Sequence, residues 1–238
     1  MPDDHFVVST RLCLRVLHPG HMGRQTPGLA QQCGHRYVRT QRQCTGVLDN
    51  RGLHGLVCNV GGGVDSRHNW LRDWLADCIA ALTAQTTFIE QFVPRWDRHV
   101  RANGTDTIEH AKLDVVFTNS HGQRTYLDVV VPTAGSTNPE TVRVRAARDG
   151  AAAARAEDGK RVRYPGPDLV PFAVEALGRP GKDAIAFLRS LAPADPELRS
   201  AALGSAWQAL SVVLQTANAD LVLAAAGAGG TVRRRGGR

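Results

Sequence analysis

The sequence predicts an α/β (α+β) protein with a small mixed sheet flanked by helices, read in the order helix, strands, helix, strand, helices. Three observations predict it. Apolar residues spaced three and four apart run from Trp70 to Leu82. Two runs rich in β-branched residues, 112–118 and 124–131, flank a short loop containing Gly122. An Ala/Leu-rich stretch occupies 196–226.

Bulk properties agree. At 238 residues the chain can bury a core without needing disulfides or metals. A hydrophobic content of 42% excludes a disordered chain, and 24 Gly with 12 Pro are too few for a fibrous one. No apolar run reaches the roughly 18–20 residues of a membrane span. The best candidate, 206–226, is interrupted by Gln208, Gln215, Asn218 and Asp220. The first residues include Asp3 and Asp4 and lack an apolar stretch, so no secretory signal is expected.

In order along the chain, residues 1–32 read as a linker with a short helix at 4–17. Residues 33–64 form a Cys- and His-containing knuckle, and 65–192 the main core. Asp65 or Ser66 caps a helix whose inner face is Trp70, Leu71, Trp74, Leu75, Cys78, Ile79 and Leu82, with Arg67, Arg72, Asp73 and Asp77 on the other face. Strands are expected at 87–93, 112–118 and 124–131, the last ended by Pro132 and Gly135. The Ala/Arg-rich stretch 142–158 reads as a helix, weakened at Gly150. A strand at 169–177 and a helix at 182–191 follow. Residues 193–227 hold the C-terminal helices, one long helix or a pair broken at Gly204, and 228–238 a basic disordered tail.

The formal charge is +7, from 29 Lys and Arg against 22 Asp and Glu. The cations gather in 1–64, 141–165 and the tail, a distribution that suits a phosphate backbone as well as a solvated surface. Only Lys112, Lys160 and Lys182 are lysines, which narrows any chemistry that needs one.

Five cysteines, an odd number, argue for reduced thiols. His54 and Cys58 have a spacing that lets two ligands meet one ion. Cys44 supplies a third, and Cys33 or His35 can complete a tetrahedral Zn²⁺ site.

The most informative stretch is 112–131. A turn centred on His121 pairs Asp114 with Asp128 and places their Cβ atoms about 5 Å apart on one face. Leu113, Val115 and Phe117 then meet Val129, Leu127 and Thr125 on the other face. Like charges directly opposite destabilise a ladder, and a divalent cation such as Mg²⁺ or Mn²⁺ resolves the conflict. The same register puts Lys112 opposite Val130.

With Asp114 and Asp128-Val-Val130 the chain resembles the PD-(D/E)xK nuclease core. It is more closely similar to the restriction-like endonuclease domain at the C-terminal end of non-LTR retrotransposon polyproteins. The resemblance covers most of the chain. It rests on the order of the Cys44…His54-x3-Cys58 knuckle, Gly61-Gly-Gly63, Arg67-His68-Asn69, Lys112-Leu-Asp114, Tyr126-Leu-Asp128-Val-Val-Val131, Lys160-Arg-Val-Arg-Tyr164 and Glu175-Ala-Leu-Gly-Arg-Pro-Gly181.

The resemblance implies a restriction-endonuclease-like fold and metal-dependent DNA cleavage. Asp114 and Asp128 would hold Mg²⁺ or Mn²⁺, and Lys160, or alternatively Lys112, would serve the reacting phosphate. His68 would act at the site, and Arg67, His68, Arg143 and Arg145 would contact DNA. It implies target DNA, and RNA of the element, as partners. It also implies a nuclear location (otherwise cytoplasmic) and a reverse transcriptase that normally precedes the domain and is absent from this chain.

The chain departs from the family pattern in four places. Arg42 and Gln43 stand where the first knuckle cysteine is expected, Asn69 replaces an aspartate, Leu113 a proline and Val130 a lysine. The lysine's loss is normal for the family, in which it is displaced to a later helix where Lys160 stands here; the other three departures define a rival expectation, a catalytically decayed nucleic-acid-binding remnant that keeps its zinc.

Overall fold

The computed structural model describes residues 32–49, 52–102, 104–133 and 148–227. The helix expected at 4–17, the tail 228–238, and Arg143 and Arg145 lie outside the described residues.

Helix α1 (Leu53–Val57) is one short turn inside the Cys/His segment. A run of glycines then starts α2 (Gly63–Thr83), two residues before the expected cap. The reason is local. Gly62 sits at φ 74°, a left-handed conformation that glycine adopts without penalty. At Gly63 a Cβ would lie 2.5 Å from Leu221 Cδ2, so any other residue there has to shift the buried Leu221 side chain.

The inner stripe of α2 buries Leu71, Leu75 and Ile79 completely. Each such side chain contributes about 1.5–3 kcal/mol. Arg67 and Arg72, expected on the solvent face, are buried as well. Each finds polar partners there: Arg67 donates to Asn218 Oδ1 at 3.0 Å, and Arg72 to Glu90 Oε1 at 2.6 Å and Asp73 Oδ1 at 2.7 Å.

Among the described residues the main sheet holds four strands. β1 (Thr87–Phe92) is an edge and pairs antiparallel with β4 (Lys112–Thr118). β4 pairs antiparallel with β5 (Arg124–Val130), and β5 pairs parallel with β6 (Leu169–Ala173). The parallel pair needs a crossover, and α3 (Ala151–Arg163) lies between its strands in the chain. That helix starts at Ala151, after its N-cap Gly150, left-handed at φ 68°, and the part of the expected helix at 142–147 lies outside the described residues. The predicted strand 169–177 ends early. Beyond Ala173 the chain turns, with Gly178 N–H donating to Glu175 O at 2.7 Å.

Between β1 and β4 the chain makes a separate hairpin, β2 (Arg98–Ala102) with β3 (Thr105–Glu109). It carries no alternating apolar face and is closed by cross-strand charges. Arg98 donates to Glu109 at 2.9 Å, and Arg101 faces Asp106 at 3.7 Å.

Helix α4 (Lys182–Leu191) has its predicted bounds, and α5 (Pro196–Ala225) is one continuous helix through Gly204. Buried carboxylates hold two helix starts. Glu175 accepts the Ala152 and Ala153 amides of α3, and Glu157 the Asp183 amide of α4. One core cluster joins Leu71, Leu75 and Ile79 to Val115, Phe117, Leu127, Val129 and Phe172, with Phe187, Leu188, Leu210 and Leu214 from α4 and α5. A second cluster gathers Leu113, Val116, Tyr126 and Leu169 with Trp96 and Tyr164. The molecule is therefore a mixed α/β protein whose small sheet is flanked by helices.

Candidate functional site

Among the described residues, two groups of chemistry-bearing side chains form. The first lies in the segment 32–58. Short bridges, Gln32 with Val47 and Arg36 with Gln43, fold it back on itself, so Cys33 and Cys44 approach α1. Asp49 holds the start of α1 by accepting the Leu53 and His54 amides at 3.0 and 2.7 Å. At Gly46 a Cβ would lie 2.0 Å from the His54 ring, so a side chain there would displace the imidazole.

The ligand atoms of Cys33, Cys44, His54 and Cys58 all lie within 4.8 Å of one another. The sulfur separations are 3.8 Å for Cys33–Cys58 and 3.7 Å for Cys44–Cys58, and Cys44 Sγ is 3.6 Å from His54 Nε2. A tetrahedron with Zn–S near 2.3 Å and Zn–N near 2.0–2.1 Å has edges of about 3.8 Å and about 3.6 Å. The donors are therefore spaced as zinc requires. Burial pushes the Cys33 thiol up to about 12, with the neighbouring Cys58 and Cys44 adding to the effect, and burial also raises Cys58. Crowded buried thiols ionise when a cation takes the proton's place. Of the two candidates for the fourth ligand, Cys33 is in the cluster. His35 is buried nearby, and its ring stands outside the set of four.

The second group sits where β4 and β5 part. Their ladder runs from Thr118↔Arg124 to Val115↔Leu127, in the predicted register, and stops before Asp114. The direct Asp114–Asp128 ladder pair is therefore not formed. Instead Asp114 Oδ2 accepts the Val129 amide at 2.7 Å. The predicted alternation also breaks here. Val115 and Phe117 enter the cluster beneath α2, whereas Leu113 enters the opposite one with Val116 and Tyr126.

The two carboxyl groups still come within hydrogen-bonding reach, and they are made unequal. At Asp114 burial works against ionisation, but His68, Asp128 and the Val129 amide outweigh it and hold the carboxyl below its ordinary range. His68 Nε2 stands 2.9 Å from Asp114 Oδ1. At Asp128 burial dominates. Together with the Asp114 charge it raises the carboxyl to about 7, against the opposing pull of Lys160. Lys160, near the end of α3, places Nζ 2.7 Å from Asp128 Oδ2 in an ion pair.

Of the sequence-predicted residues, the fold thus brings Asp114, Asp128, His68 and Lys160 together. Lys112 is not among them. It is held at 2.8 Å by Glu90 Oε2, and the β4–β5 ladder ends before it would face Val130. Arg67 is corrected too. It is 3% exposed and bound to Asn218, which in turn donates to Ala176 O, so it ties α2 to α5 and is not free to touch DNA. The sequence reading missed Glu90 altogether. An acidic residue in an edge strand that also carries Phe88, Ile89 and Phe92 was the available signal.

No protein-family model matches the chain, and no curated protein shows significant similarity to it.

Proposed function

We propose that the protein is a metal-dependent endonuclease of the PD-(D/E)xK type, cleaving DNA phosphodiesters as the restriction-like domains of non-LTR retrotransposons do. The observation that carries this reading is the convergence of Asp114, Asp128, Lys160 and His68 at the open end of the β4–β5 ladder. A buried Asp128 beside a half-buried Asp114 suits a divalent cation, which would take carboxylate oxygen from each and share Asp128 with Lys160.

When bound there, Mg²⁺ or Mn²⁺ would supply charge neutralisation at the phosphate and a more acidic water for attack. The chain's own residues supply the rest. Asp114 and Asp128 hold the cation. The Val129 amide fixes one oxygen of Asp114, and His68 orients the other. Lys160, ion-paired with Asp128, would stabilise charge that builds on the phosphate in the transition state. The Cys33, Cys44, His54 and Cys58 cluster takes a structural zinc, since all four positions are filled by protein.

The test is incubation with supercoiled plasmid and Mg²⁺ or Mn²⁺. The wild type nicks the plasmid, and Asp114→Ala and Asp128→Ala each lose at least 100-fold of that rate. Nicking that survives both substitutions would sink the assignment. DNA retention without nicking would support the decayed remnant.

A further inference from the structure

We propose that Glu90 is the positioning residue for Asp114. Its left-handed backbone opens the β1–β4 ladder at one position, and that opening releases Asp114 toward His68 and the Val129 amide. The proposal rests on the reading of Asp114 as a site residue.

Glu90 lies in the middle of β1 with φ 56°, where non-glycine residues are uncommon. The ladder records the consequence. Ile89 pairs with Val115 and Gln91 with Leu113, yet the intervening partners, Glu90 and Asp114, are not paired. The register is the same on both sides, so no residue has been inserted and this is not a bulge. The side-chain phase of β4 changes at the same place, with Leu113 and Val115 in different core clusters. The unpaired position on β4 is therefore the one that carries the acid.

Glu90 is held in that conformation from two sides. Arg72 of α2, itself buried, donates to Oε1 at 2.6 Å, and Lys112 of β4 donates to Oε2 at 2.8 Å. Arg72 also donates to Asn69 Oδ1 at 3.2 Å and to Asp73 Oδ1, so its guanidinium is fixed before it meets Glu90. His68 and Arg72 are one turn apart on α2. The same helix face thus holds Asp114 through His68 and the opposing gap in β1 through Arg72. Lys112, which does not reach the acids, acquires a role as the second clamp.

This separates backbone from side chain. Glycine and asparagine tolerate a left-handed φ, whereas a β-branched residue resists it. In Glu90→Gly and Glu90→Asn the metal-free protein keeps slow hydrogen exchange at the Val129 amide, relative to the ladder amides of β5. Both variants bind Mn²⁺ within about threefold of wild type. In Glu90→Val the Val129 amide exchanges at least tenfold faster by the same comparison, and Mn²⁺ binding weakens at least tenfold. Glu90→Ala, a milder change, falls between them and carries the comparison should the valine variant fail to fold. Equal behaviour of the glycine and alanine variants, or unchanged Val129 exchange in Glu90→Val, would overturn the proposal. If exchange follows the expected order but the wild type and Asp128→Asn take up Mn²⁺ alike, Glu90 still positions Asp114 and the nuclease reading fails.

Discussion

Asp114 and Asp128 carry the same side chain and opposite acidities, and the difference lies in what surrounds each. Asp114 meets a histidine and a backbone amide, whereas Asp128 is more deeply buried and faces one lysine. Raised from 3.8 to about 7, Asp128 in the metal-free native state keeps a proton that the unfolded chain has already lost. Its contribution to stability therefore falls as pH rises from about 4 to about 7 and is flat above that. Replacing it by a neutral isostere removes the cost. Asp128→Asn is expected to gain about 2 kcal/mol at pH 8, roughly 4–8 °C in Tm for a chain of this size, while losing divalent-metal binding. Thermal melts at pH 5 and pH 8 check it, with the gain expected only at the higher pH. The lysines give a second test at this scale. Lys160→Ala should reduce plasmid nicking by 10- to 100-fold, whereas Lys112→Ala should leave Lys160 and Asp128 in contact and cost less than Lys160→Ala.

Among the elements, those with a strong apolar period were legible. The stripe of α2, the bounds of β4 and α4 and the long α5 follow from residue spacing alone. The β2–β3 hairpin was not legible, since its register depends on exposed charge pairs and its strands bury no face. The buried positions of Arg67 and Arg72 were hidden because their partners, Asn218 and Glu90, come from other elements. Within the site, the acidic pair could be read from the hairpin arithmetic, but the ladder's end before Asp114 could not. At the same place Asp114 is also unpaired on its β1 side, opposite Glu90, a residue of a different element. The Cys/His segment makes its own prediction. Gly46→Ala should displace His54 and weaken zinc binding at least tenfold, and Cys44→Ser should lower bound zinc further, both read by metal content after dialysis. Zinc uptake at this cluster should also strengthen as pH rises, because Cys33 and Cys58 must give up protons they hold tightly.

Across the whole molecule, the Cys/His cluster and the acidic site stand at different places on a shared scaffold. Cys33, Cys44 and Cys58 pack with Ala225 at the end of α5, and Gly34 N–H donates to Ala225 O at 2.6 Å. α5 then runs back against α2, which carries His68 and Arg72. Zinc removal by a strong chelator should therefore lower Tm and loosen the end of α5, with faster amide exchange at 222–226. It should leave the β4–β5 amides protected. No helix among the described residues is long and apolar enough to cross a membrane.

Asp114 and Asp128 are proposed to act as one divalent-metal site. Calorimetric titration of Mn²⁺ into the zinc-loaded protein tests that most directly. A binding event is expected that strengthens as pH rises through 7 and disappears in both Asp114→Asn and Asp128→Asn, with zinc content unchanged. An isotherm that is the same in wild type and in both variants would contradict it.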